Sequence, residues 1–345
     1  MGDKLRFGLV GCGDFGSHIA GVFCGVSDVV AVCDVNEAGA ATAANELPGT
    51  QTTYTDYRRM IETETLDGVI VAAANFVHAE ITIAAAEAGL HVFCEKAMAR
   101  RVPECWDMVR ACEQNHVKLM IGHKRRLRPP WARMIELTDE SLLGRALSIS
   151  VTQYADMRPY DYPGTWWADG NLSGGAFAML GVHVIDWFRA MCGDVKRVWG
   201  MHGPRQEMYW SFPEIINATY EFESGALAAI HSSTAYPVHR FREAQGPMGQ
   251  CAYGGFKLRP HMDHIDLYWQ HLDDEKVRHE RFDDLGFDHA YRLEVGDFIG
   301  WITEDRQPCL TWVEGLRCVE MMEAAYKSAV QGGAPIDLPL YPELE

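Results

Sequence analysis

Apolar and polar positions change rhythm about a third of the way along the chain. Up to residue 126, short apolar runs alternate with stretches of helical spacing. Residues 5–10, 29–33, 69–73, 91–94 and 117–121 are apolar runs of strand length, and 52–54 is a shorter one. Residues 15–24, 37–46, 57–62, 79–88 and 103–115 read as helices, with Asp56 as a cap and with breaks at Pro48, Gly49 and Gly89. Strands that are apolar throughout are those covered on both faces, as in parallel sheets. The alternation predicts a doubly wound parallel sheet. Beyond Pro129 and Pro130 the pattern differs. Residues 146–154 alternate, and 195–200, 218–222, 226–232 and 264–269 are further strand candidates between Gly, Pro and acidic turns. Residues 131–138, 178–191, 288–302 and 316–330 read as helices. This half predicts a second α/β domain, 127–345, built on a large open, mainly antiparallel sheet. The helix at 288–302 is placed to carry the chain back toward the first domain.

The turn after the first strand carries Gly11, Gly13 and Gly16, a G-x-G-x-x-G pattern. Such a turn lets backbone approach a pyrophosphate and aims a helix N-terminus at it. A motif this short needs an acidic residue at the end of the next strand, and Asp34 stands there. Residues 1–126 therefore read as a Rossmann dinucleotide-binding domain. A carboxylate at Asp34 accepts ribose hydroxyls and repels a 2′-phosphate, which favours NAD over NADP. Ligands of such sheets bind beyond the carboxyl ends of the strands. That rule gathers Gly11, Gly13, Asp14, Phe15, Gly16, Asp34, Asn36, Ala74, Asn75, His78, Glu95 and Lys96 as cofactor contacts, with His123 one strand further on.

Composition narrows the partners. A net charge of −17 argues against nucleic acid and anionic membranes. No apolar run reaches the length of a membrane span, and no signal peptide precedes the first strand. Arg6 stands where myristoylation needs Ser or Thr. Ten scattered cysteines with no C-x-x-C pair point to a reducing compartment, hence the cytoplasm. There is no G-x-S-x-G elbow for serine hydrolysis. His261, His264 and His271 lack the companion carboxylate of a helix-borne zinc site, so no metal is expected.

Several residues keep two readings. Lys96, at a strand end facing a nicotinamide, has reason for a depressed pKa and could relay an alcohol proton; it could equally pair with Glu95 at the surface. His183 and Asp186 share a helix face, so Asp186 either orients His183 toward substrate or satisfies a buried histidine. His123, Lys124, Arg125 and Arg126 either meet a polyhydroxyl substrate or, for the arginines above all, make inter-domain ion pairs. Tyr160, Asp161, Trp166 and Trp167 lie in an aromatic stretch suited to stacking on sugars or to an interface.

Taken in order, these motifs resemble the glucose–fructose oxidoreductase/inositol dehydrogenase family, Gfo/Idh/MocA, over essentially the whole chain. The carriers are the glycine loop; the 66–72 strand with Asn75 and His78; Cys94, Glu95 and Lys96 at the family's E-K-P position; Gly174 and Gly175 through His183 and Asp186; and the closing Pro335, Ile336 and Asp337. The resemblance implies a sugar, glycoside or cyclitol dehydrogenase using NAD(P). Its catalytic residues would be Lys96 and His183, and its C-terminal sheet would form homo-dimers or homo-tetramers. Substrate contacts would include Lys96, His123, Arg125, Tyr160, Trp166, Trp167, Met179 and His183. Two positions depart from the pattern. Ala97 replaces a proline, and Met179 stands where many members carry an aspartate. A thioether cannot accept a proton, so Met179 keeps open two alternatives: an NAD-recycling glycoside hydrolase or lyase, and a non-catalytic NAD-binding protein.

Overall fold

A computed structural model describes residues 4–50, 52–155, 157, 165–205, 210–234, 246–261, 263–283 and 287–345. Two compact units emerge: Met1–His123 with Tyr291–Leu316, and Lys124–Ala290 with Arg317–Glu345. The first contains six strands: β1 (Arg6–Val10), β2 (Asp28–Cys33), β3 (Thr52–Tyr54), β4 (Gly68–Val71), β5 (His91–Glu95) and β6 (Leu119–Gly122). All pair in parallel in the order β3-β2-β1-β4-β5-β6. The chain leaves β1 toward β2 and β3 on one side and returns to β4, β5 and β6 on the other. That reversal beside β1 is the switch point where open α/β sheets bind ligands. Every residue of β4 and β6 is buried, which explains their uninterrupted apolar sequence.

The helices of this unit are α1 (Asp14–Cys24), α2 (Glu37–Glu46), α3 (Tyr57–Thr63), α4 (His78–Glu87) and α5 (Val102–Gln114). Pattern placed each within a few residues. One segment was placed differently. Residues 127–345 were expected to form one domain, yet 291–316 belong to the first unit. The reason is aromatic packing from helix α9 (Phe287–Glu304). Phe298 is fully buried, with its ring 6.1, 6.3 and 5.7 Å from those of Phe7, Phe23 and Phe93.

The second unit holds a nine-stranded sheet: β7 (Ala146–Tyr154), β8 (Val195–His202), β9 (Ile215–Phe222), β10 (Leu227–Ser233), β11 (Met248–Cys251), β12 (Gly254–Pro260), β13 (Ile265–His271), β14 (Arg278–Phe282) and β15 (Ile336–Asp337). Its order is β14-β13-β12-β11-β7-β10-β9-β8-β15, antiparallel except for β10 beside β7. Periodicity missed β11, β12 and β14, whose Gly, Pro and charged residues mask alternation. Helices α6 (Pro129–Glu136), α7 (Gly170–Ser173), α8 (Val182–Cys192) and α10 (Trp312–Val330) complete the elements. Trp187 and Phe188 of α8 are buried, with Trp187 6.5 Å from Phe256 on β12 and Phe188 6.2 Å from Tyr220 on β9. The other sheet face is less covered: β9 alternates buried and half-buried residues along its length. Among the described residues no helix is long and apolar enough to cross a membrane.

Truncating Phe298 empties the centre of an aromatic cluster. Phe298→Ala is expected to lower unfolding free energy in urea by about 3–5 kcal/mol; a loss below about 1 kcal/mol would show that residues 291–316 do not complete the first core.

Candidate active site

The glycine turn is defined by what it excludes. Gly11 has φ +99°, and a Cβ there would lie 2.5 Å from the Ala73 nitrogen. A Cβ on Gly16 would lie 1.9 Å from the Gly11 carbonyl oxygen. Helix α1 thus rests directly on β1 and β4. Gly13 differs: a Cβ there would meet nothing within 4 Å. Gly13 is also the N-cap of α1 and offers no capping side chain. The N-terminus of α1 thus lies beside the switch point with open space at Gly13, a cradle that fits a pyrophosphate.

Asp34 follows β2 and reaches back to this loop. Its Oδ2 accepts the Cys12 amide at 2.7 Å and its Oδ1 accepts the Asn36 amide at 2.8 Å. Asn36 in turn caps α2 through the Gly39 amide. The carboxylate is therefore fixed in direction, with lone pairs left for two hydroxyls. Neither Lys nor Arg occurs from Val35 to Gly39 to neutralise a 2′-phosphate. Burial, reinforced by Asp34, pushes the Cys12 thiol up to about 12, so it stays neutral inside the loop. Asp14 opens α1 and is exposed; Phe15 is half-buried, its ring 5.7 Å from that of Tyr291.

At the ends of β4 and β5 the structure revises one expectation. Ala74 and Asn75 lead the short 3-10 turn Asn75–Val77, and Asn75 is buried. His78 was grouped with the cofactor contacts, but it is 1% exposed and its imidazole is occupied by the protein. Nε2 lies 2.9 Å from the Ala73 carbonyl oxygen and Nδ1 3.0 Å from that of Ala97. His78 thus ties the β4 loop to the turn carrying Lys96. Burial pulls its pKa below the ordinary imidazole value, while the two carbonyls oppose that pull. Glu95 is buried, and its Oε2 accepts the Lys96 amide at 3.2 Å. Gly122 makes room for it: a Cβ there would lie 2.7 Å from Glu95 Oε1. Lys96 itself is half-buried, and the Lys96–Ala97 peptide is cis. His123, just past β6, is 1% exposed.

In the second unit, the helix expected at 178–191 is not uniform. Phe177–Gly181 form a π-helical turn, closed by the Val182 amide on the Phe177 carbonyl, and α8 follows. Wide turns of this kind are frequent at functional sites. Its entry is set by Tyr326 of α10, 149 residues away, whose hydroxyl accepts the Phe177 amide at 2.9 Å. Gly175 has φ +76°, and a Cβ there would sit 2.7 Å from that hydroxyl. No local pattern announces Tyr326. Met179 is buried in the turn and His183 is half-buried one turn on.

Asp186 has a different partner from the one proposed. Both its oxygens take the Arg126 guanidinium, Nε at 3.0 Å to Oδ2 and Nη2 to Oδ1. The pair is deeply buried, with Asp186 at 0% exposure and Arg126 at 10%. Across the expected 126/127 boundary this is the ion pair foreseen for the arginines, and both residues lie in the second unit. Arg125 lies with its guanidinium 4.9 Å from the Trp131 ring centre, and burial, together with Arg128, lowers its pKa. Trp166 and Trp167 are half-buried neighbours with ring centres 4.5 Å apart. Tyr160 and Asp161 lie outside the described residues.

The metal reading also changes. His261 and His264 do have a carboxylate, Asp266, at 3.0 and 3.6 Å. Its spacing belongs to a hairpin and not to a helix, so a helical ligand pattern does not reveal it. His271 is engaged elsewhere, its Nδ1 accepting the Asp273 amide at 3.1 Å.

Comparison with known proteins agrees with this geometry. The oxidoreductase family GFO/IDH/MocA, NAD-binding Rossmann fold, matches residues 5–123, and the GFO/IDH/MocA C-terminal domain matches 131–247. D-xylose 1-dehydrogenase (NADP(+)) 2 of Haloferax volcanii is 28% identical over 96% of this chain and 99% of its own. An inositol 2-dehydrogenase/D-chiro-inositol 3-dehydrogenase of Lactiplantibacillus plantarum is 24% identical over 96% and 93%. Levoglucosan dehydrogenase, solved with NADH and levoglucosan, shares the fold with a TM-score of 0.85 at 22% identity, covering 97% of this chain and 99% of that one.

Two outcomes follow from these contacts. Arg126→Met strands a buried carboxylate and is expected to cost about 3–5 kcal/mol in denaturant unfolding, most of it recovered in Arg126→Met/Asp186→Leu; a double variant no more stable than the single one would contradict the pairing. Burial holds the His78 imidazole below its ordinary pKa in the fold, whereas the unfolded chain takes up that proton near pH 6.5. Stability should therefore fall as pH drops through that value, and fall less steeply in His78→Gln; parallel curves for the two proteins would contradict this.

Proposed function

Since this chain belongs to the Gfo/Idh/MocA oxidoreductase family, we propose that it oxidises a carbinol of a sugar, glycoside or cyclitol with NAD. One observation carries the reading: the glycine cradle, the tethered Asp34 and Lys96 all stand at the carboxyl ends of one parallel sheet. Gly11, Gly13, Gly16 and the first amides of α1 hold the pyrophosphate. Asp34 accepts the ribose hydroxyls and disfavours a 2′-phosphate, which supports NAD over NADP. Ala74, Asn75 and Glu95 shape the floor near Lys96, and His78 positions that turn from behind. NAD, when bound, supplies the hydride acceptor at its nicotinamide C4. Lys96 and His183 handle the substrate hydroxyl proton, since the thioether of Met179 cannot. His123, Arg125, Trp166 and Trp167 are the further candidates for substrate contact. We assign a homo-dimer or homo-tetramer through the nine-stranded sheet, supported by exposed Leu227, Met248 and Tyr253. A reducing, cytoplasmic setting is supported by ten free cysteines, eight of them buried.

The direct test is a panel of pentoses, inositols and anhydrosugars, followed both for NADH absorbance and for bond cleavage without net reduction. NADH formation with at least one polyol is expected. Cleavage with catalytic NAD would favour the redox-neutral alternative, and cofactor binding with no turnover a non-catalytic role. Lys96→Ala and His183→Ala should each lower kcat by about 10²–10⁴ with NAD affinity nearly unchanged. Asp34→Ala should weaken NAD roughly 10–100-fold while sparing NADP; equal loss of both cofactors would contradict the role of Asp34.

A further inference from the structure

The loop between β12 and β13 gathers ligating groups that the dehydrogenase reading leaves unused. His261 follows β12, His264 precedes β13, and Asp266 is the second residue of β13. The loop is closed by the His261 amide donating to the His264 carbonyl at 2.8 Å. His261 Nε2 and His264 Nε2 lie 3.0 and 3.6 Å from the same oxygen, Asp266 Oδ2. All three donor atoms fall within 4.8 Å of one another. Four-coordinate zinc with bonds of about 2.0–2.2 Å spaces its ligands about 3.4 Å apart. The observed spacing is compatible with such an ion.

Three further observations point the same way. His261 Nε2 is buried and, despite its closeness to Asp266, makes no hydrogen bond. His264 gives its other nitrogen, Nδ1, to Asp263 Oδ1 at 2.7 Å. Metal-ligating histidines are commonly oriented by a carboxylate in this way. On the opposite side His279 of β14 holds the second oxygen of Asp266, with Nε2 at 2.7 Å from Oδ1. Asp266 is buried in a pocket of three imidazoles. A carboxylate set among imidazole nitrogens is a donor set matched to a borderline divalent cation.

We propose that His261, His264 and Asp266 bind a divalent transition-metal ion of the zinc class, closing the loop between β12 and β13. Three protein ligands leave a fourth position for water.

The test uses full-length protein stripped with a chelator, then titrated with Zn²⁺ by calorimetry and with Co²⁺ by visible absorption. Saturation at about one ion per chain is expected, with a Co²⁺ spectrum of four- or five-coordinate type and a Tm raised by several degrees. His261→Ala and His264→Ala should abolish the site, and His271→Ala should leave it intact. Asp263→Asn changes a side chain that is 77% exposed, so it keeps the fold while weakening binding about 10–100-fold. No saturable binding by the wild type would overturn the proposal. So would binding that survives both histidine substitutions, or an Asp263→Asn affinity equal to the wild type. These readouts do not involve turnover, so they stand apart from the fate of the dehydrogenase assignment.

Discussion

Backbone contact at Gly11 and Gly16 is the constraint on which the first unit depends. Any side chain at Gly16 would run into the Gly11 carbonyl, and any at Gly11 into the backbone at Ala72 and Ala73. Because α1 sits this close to β1 and β4, its N-terminal amides end at the switch point of the sheet. The same closeness brings the Cys12 amide within 2.7 Å of Asp34. A charge just after β2 and a helix end after β1 become one feature, joined by the hydrogen bond from the Cys12 amide to the Asp34 carboxylate. The next layer is equally economical. His78 joins the β4 loop to the turn after β5, so Lys96 is presented by a braced segment and not by a free loop.

The second unit is organised around a different problem, that of burying charge and hydroxyl beside an irregular helix. Arg126 and Asp186 remove each other's charge from solvent, and Tyr326 supplies the acceptor that the entry to the π-helical turn requires. Both contacts fix the segment bearing Met179 and His183. Breaking either leaves a buried polar group without its partner, which costs more than the contact itself contributes.

Much of this was readable from residue order. The parallel sheet announced itself because its strands are apolar on both faces, and Asp34 could be placed because it ends the second of them. What escaped has physical reasons. β14 hides behind charge, since an edge strand needs no alternation to pair, and the terminal Gly and Pro residues of interior β12 obscure the alternation of its middle. Phe298 looked like any helical apolar residue; only tertiary contact with Phe7, Phe23 and Phe93 assigns its segment to the first core. His78 carries the same local signal whether it meets a ligand or two carbonyls. Tyr326 and Arg126 act on residues 149 and 60 positions away, beyond any periodicity. Asp266 lay in plain view two residues after His264, but hairpin spacing brings ligands together differently from helical spacing.

The central claim is that the strand-end cradle serves hydride transfer from a polyol carbon. The most direct measurement is isotopic: a substrate from the active polyol class, deuterated at the reacting carbon, is turned over with NAD and the recovered nicotinamide is analysed by NMR. Deuterium on C4 of one nicotinamide face, in step with ketone or lactone formation, is the predicted result. Product formed with no deuterium in the released cofactor, or cofactor bound with no product, would contradict it.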